Sequence, residues 1–241
     1  ENFITGIKKY SLPYFDQMDK IQEDILWNDM ENIFGSYEIM EMAEEHRDWN
    51  SEFDYHGPAS REIRDMLHLP LHISAYLNEW MTQVHKQVIK TSPQKRLQRL
   101  FELEDSSYIS FNYTTTLETV YKIKHVWHLH GKFGETLIMG HNQTLGRTYT
   151  DPSEYGINLI NEKFLKDYIN RSRKNCHKIM ASFPSIFYDQ SIKETPEIYV
   201  LGHSLNTIDM PYFRRIKKIS GKEAKWNIFI LPNQQSYYLD I

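Results

Sequence analysis

The chain has 241 residues, 40% of them hydrophobic and 25% charged, with a formal net charge of −4. That balance describes a folded protein able to bury a full core and excludes a disordered chain or one that holds nucleic acid or an anionic membrane through bulk charge. The lone Cys176 cannot form an internal disulfide, which suits a reducing cytoplasm, and neither a roughly 20-residue apolar run nor an apolar leader is present.

The chain begins Glu1-Asn2-Phe3 without Met, so further residues are expected upstream. From about residue 14 to 105 apolar positions recur at helical spacing, as in Ile21, Ile25, Leu26 and Met30 and again in Ile63, Met66 and Leu67, with few glycines between them. The acidic, aromatic stretch 44–60 interrupts these helices, and Gly57-Pro58 marks a turn. Residues 69–90 then predict a long amphipathic helix that ends near Thr91-Ser92-Pro93.

At residue 107 the pattern changes to short β-type runs: SYISF (107–111), KHVWHLHG (124–131), ETLIMGHN (135–142), EIYVLGHS (197–204) and WNIFILPN (226–233). Helices are predicted between them at 114–123 and 211–220, with a longer helical insertion around 158–182. Alternation of this kind predicts an α/β parallel sheet, in which ligands sit at the carboxyl ends of the strands.

Those ends carry the candidate residues. Asn112 can orient a water or a ribose hydroxyl, and Thr114 can do the same or cap the following helix. His130, followed by Gly131, is placed as a general base near neutral pH or as a partner for a sugar hydroxyl. Gly140 and His141 close the third run, and Gly202, His203, Ser204 and Leu205 offer backbone N–H groups ahead of a helix. Strand alternation puts His128 and His130 on one face, so a metal site with His141 is an alternative, but no HExxH or CxxC pattern accompanies it. Thr207 or Asp209 is expected to cap the helix ahead of Pro211, His125 to lie on the surface, and Cys176 to be inert.

The order FNYTTTLETVY, HLHGK, MGHN and YVLGHSLNTIDMPYF, with LWNDMENIFGSY at 26–37, resembles the AbiH family of bacteriophage abortive-infection proteins, and AbiH proteins in turn resemble the sirtuin-like NAD-binding fold. The resemblance implies a sirtuin-like, Rossmann-type parallel sheet with a helical insertion or subdomain: residues 1–106 mainly helical, 107–241 the nucleotide-binding core. It implies a cytoplasmic antiphage protein that hydrolyses NAD at the nicotinamide–ribose bond, with NAD as substrate and no recycled cofactor or metal. Asn112 would then orient water or ribose, His130 would be the catalytic histidine, and Gly202, Ser204 and Leu205 would line the adenosine side. A homo-oligomer or a defence-system partner is expected, with no membrane and no direct nucleic-acid contact. Three departures stand out: the glycine-rich GNGFD-type turn is absent and is expected upstream of Glu1, Tyr113 and Thr114 stand where sirtuins place an Asp, and no four-cysteine zinc module is present. A catalytically silent nucleotide-binding sensor or scaffold is the alternative reading.

Overall fold

A computed structural model describes residues 74–102, 106–141, 170–188, 195–205 and 207–229. The helices expected before residue 74, including the 26–37 stretch, and the segment 142–169 lie outside the described residues. The chain divides into two compact units between Lys174 and Asn175.

In the first unit the helix α1 occupies residues 74–88. It buries Leu77, Met81 and Val88, positions that helical geometry stacks on one face. A second helix, α2 (Lys95–Phe101), leads to the strand β1 (Tyr108–Ser110). Tyr108 returns to this connection twice: its ring meets Phe101 edge-on and its hydroxyl donates to the Phe101 carbonyl at 2.9 Å.

The helix predicted at 114–123 is a single turn, α3 (Thr116–Thr119). Three consecutive threonines explain the shortening, because β-branched residues resist helix and their hydroxyls seek local partners. Thr116 bonds Thr114 at 2.9 Å and Thr115 bonds Thr119 at 3.0 Å. Beyond them Lys122 takes a positive φ of 61°, which stops the helix.

The strand β2 (Val126–His128) pairs parallel with β1 in the register Tyr108–Val126, Ile109–Trp127, Ser110–His128. It ends three residues earlier than the predicted run, so His128 and His130 are not alternate residues of one strand: His130 lies in the following turn. The third predicted run, 135–142, is not a strand among the described residues. His141 makes one isolated parallel bridge with Arg173, and Gly140, at φ 149°, runs so close to the Ser172 carbonyl that an added Cβ would lie 2.0 Å from its oxygen.

The second unit holds α4 (Cys176–Ser182), α5 (Pro184–Phe187), β3 (Glu197–Leu201), α6 (Met210–Ser220) and β4 (Lys225–Phe229). The helix expected to run through 158–182 is broken within its described part, where Arg173–Asn175 are not helical. Asn175 restarts it as an N-cap, accepting from the Lys178 amide at 3.0 Å. The strands β3 and β4 pair parallel over five residues, from Glu197–Lys225 to Leu201–Phe229. The crossover helix α6 buries Tyr212, Phe213 and Ile216, each apolar side chain contributing about 1.5–3 kcal/mol. It starts with Pro211 in the first turn and stops at Gly221, φ 84°, as helix-end chemistry requires. The described strands form two separate two-stranded parallel sheets in a mixed α/β fold; the α/β class and parallel pairing are as expected, while a single Rossmann-type sheet is not seen among the described residues.

Candidate functional site

In the first unit the candidate site grows from the carboxyl ends of β1 and β2. The last residue of β1, Ser110, turns the chain: its hydroxyl accepts from the Asn112 amide at 3.2 Å and donates to the Asn112 carbonyl at 3.3 Å. That carbonyl also receives His128 Nδ1 at 3.1 Å. The Asn112 peptide is therefore held from two sides while the residue itself is exposed.

His128 is buried, and its other nitrogen, Nε2, lies 2.9 Å from Glu118 Oε1. A carbonyl can only accept, so Nδ1 carries a proton. The Nε2–Oε1 contact fixes the ring from its other side. Glu118 stands on α3, and Lys132 Nζ sits 3.9 Å from the same oxygen. The predicted site did not include Glu118. It stands ten residues before His128 with nothing in the spacing to pair them, and only the fold brings them together.

His130 is 2% exposed and meets Phe111 edge-on, ring centroids 5.6 Å apart. Its carbonyl accepts from the Ile138 amide at 2.8 Å, and Tyr113 Oη donates to the Ile138 carbonyl at 2.8 Å. These bonds fold the 131–140 segment back over the β1–α3 turn. Gly131 makes the fold possible: it adopts φ 79°, and a Cβ there would lie 2.1 Å from the Thr136 carbonyl oxygen. From the other side His85 of α1 stacks on Phe133 at 4.2 Å and faces the Thr115 hydroxyl at 3.5 Å. Asn112, Thr114, His130 and Gly131 are thus gathered at the paired ends of β1 and β2.

Gly140 and His141 take a different role, against Ser172–Lys174. The His141 amide donates to the Ser172 carbonyl at 3.0 Å, its carbonyl accepts from Lys174 at 2.7 Å, and Nε2 meets Ser172 Oγ at 3.1 Å. Burial, reinforced by the Arg173 charge, lowers the His141 pKa to about 4. The ring is neutral at physiological pH.

In the second unit the carboxyl end of β3 carries Gly202, His203, Ser204 and Leu205. Gly202 and Leu205 both have positive φ, 61° and 52°. The Leu205 amide donates to His203 Nδ1 at 2.8 Å, which leaves the ring proton on Nε2, 3.4 Å from Asp209 Oδ2. Asp209 occupies the N-cap position of α6 without a side-chain capping bond. Its carboxylate faces His203 in place of the helix end, which corrects the capping role expected of it. Leu205 is buried and Ser204 exposed. His125 is exposed, and Cys176 is buried with its thiol toward the Ile208 carbonyl at 3.5 Å.

Among the described residues no three His, Cys, Asp or Glu side chains come together to hold a metal ion, and no helix is long and apolar enough to cross a membrane.

The family model for bacteriophage abortive infection AbiH matches residues 5–230. The chain belongs to the AbiH family. Its setting is therefore abortive infection, the defence of a bacterium against phage. No curated protein and no solved structure matches the chain.

Proposed function

We propose that this AbiH protein acts in abortive infection by hydrolysing NAD at the nicotinamide–ribose bond, using the paired carboxyl ends of β1 and β2. The observation that carries the reading is the register of that pair, with Ser110 opposite His128, which sets an exposed Asn beside a histidine-rich turn and a carboxylate. The scissile bond breaks through an oxocarbenium-like state, so a site needs to hold the ribose hydroxyls, place a water and offer negative charge rather than supply a strong nucleophile. Water oxygen bonds to the anomeric carbon, the C–N bond breaks, nicotinamide departs neutral, and the water's proton passes to a base. Asn112 orients the water or the ribose, and His130 bonds a ribose hydroxyl and takes the proton. Thr114 and Gly131 border the same turn. The sirtuin-like form of the sheet belongs to this proposal, as do a cytoplasmic location and a homo-oligomer or defence partner that keeps the enzyme silent until infection.

A second reading, a silent nucleotide-binding sensor, draws on one observation: His130 is 2% exposed, and a base has to be reachable. NAD consumption by the purified full-length protein, with His130→Ala and Asn112→Ala beside wild type, separates the two. Hydrolysis lost in both folded variants supports the enzyme; NAD binding without turnover by wild type supports the sensor.

A further inference from the structure

Every backbone polar atom of Asn112 is engaged: its amide by Ser110 Oγ at 3.2 Å, its carbonyl by Ser110 Oγ at 3.3 Å and by His128 Nδ1 at 3.1 Å. The serine bonds alone close the turn. A histidine and a carboxylate brought in behind it carry a desolvation cost that a simple turn does not require, since His128 is 8% exposed and the Glu118 side chain 24%. We infer that Glu118 and His128 are positioning residues, which hold the Asn112 peptide in one orientation and so aim its exposed side chain. What Asn112 is aimed at rests on the NAD reading; the clamp itself does not.

The logic is one of direction. Nδ1–H of His128 fixes the carbonyl plane of Asn112, and Glu118 fixes the ring from the other side at 2.9 Å. Because Glu118 comes from α3, the pair joins the end of β1, the crossover turn and the end of β2 through one imidazole. Rotation of the Asn112 peptide would swing its side chain, and a misplacement of about 1 Å at a reacting centre can cost on the order of 100-fold in rate. His128 is thus no neutral neighbour of the site, although its sequence position suggests a bystander.

Two isosteres separate the two bonds of the ring. The amide nitrogen of Asn hangs from Cγ as Nδ1 does, so His128→Asn keeps a donor toward the Asn112 carbonyl; that of Gln stands nearer Nε2, so His128→Gln keeps only the Glu118 side. In the full-length protein His128→Gln is expected to lower kcat for NAD hydrolysis by roughly tenfold or more with a smaller change in KM, and His128→Asn by about threefold or less. Glu118→Gln, which retains an acceptor oxygen, is expected to recover most of what Glu118→Ala loses. Hydrogen exchange at the Asn112 amide reads the clamp without any activity: it should quicken by roughly tenfold in His128→Gln and Glu118→Ala and stay near wild type in His128→Asn. Equal exchange in the two His128 variants, or exchange in Glu118→Ala matching wild type, overturns the inference. If wild type consumes no NAD, the enzymatic reading falls and the exchange rates still decide the clamp.

Discussion

Each unit places a histidine next to a carboxylate at the carboxyl end of a parallel strand, and the two pairs are wired in opposite ways. His128 gives Nδ1–H to a backbone carbonyl and turns Nε2 to Glu118 at 2.9 Å. His203 accepts a backbone N–H at Nδ1 and keeps its ring proton on Nε2, toward Asp209 at 3.4 Å. The backbone partner decides the difference. A carbonyl behind the ring makes the histidine a donor that holds a peptide plane. An amide behind the ring fixes one tautomer and makes the histidine a brace for a left-handed turn. Residue types alone do not tell which way each pair is wired; the atom behind the ring does.

The largest expected effect comes from the glycines that set these turns. Gly131→Ala puts a Cβ 2.1 Å from the Thr136 carbonyl oxygen at φ 79°, and should cost roughly 3–5 kcal/mol by urea unfolding. Gly202→Ala, at φ 61° with open space around it, meets only the backbone penalty, about 1–2 kcal/mol. Similar losses at both would break the distinction between a packed turn and an open one.

Acid is the next lever. His141 has its pKa lowered to about 4 by burial and by Arg173, so below the unfolded value near 6.5 the unfolded chain takes up the proton first. Stability from this group is complete above about pH 6.5, falls as the pH drops toward 4 and levels off below, a total of roughly 3 kcal/mol. His141→Gln should flatten that part of the profile in urea melts taken across the range.

Smaller effects separate the two histidines directly. His128→Ala removes the histidine partner of Glu118 at partial burial, leaving it only the longer Lys132 contact, and should cost roughly 2–3 kcal/mol. His203→Ala loses a cap for one amide and a longer contact, about 1–2 kcal/mol. The first should also impair NAD turnover through Asn112. Equal effects on stability and turnover in the two variants would erase the contrast.

Much of the strand order was legible because apolar runs closed by polar or glycine residues survive in any local context: SYISF, EIYVL and the helix at 210–220 lie where periodicity puts them. The third run failed because Gly140 is pressed against Ser172, a contact invisible until residues 140 and 172 meet. The first crossover helix shrank because β-branched threonines resist helix and their hydroxyls find local partners, Thr116 with Thr114 and Thr115 with Thr119. The candidate site was legible as strand ends but not as pairs. Glu118 drew no reading and Asp209 was expected to cap a helix, since their histidine partners are set by the fold and by a left-handed turn rather than by spacing.

The central claim is that the Asn112 end of this pair of strands destroys NAD in the infected cell. The direct measurement is cellular NAD after phage challenge in cells expressing the full-length protein, wild type against Asn112→Ala, with folding of both verified by thermal melting. The account predicts a collapse of NAD with wild type and preserved NAD with Asn112→Ala at equal protein level. Preserved NAD in phage-arrested wild-type cells, or an equal collapse with folded Asn112→Ala, would contradict it.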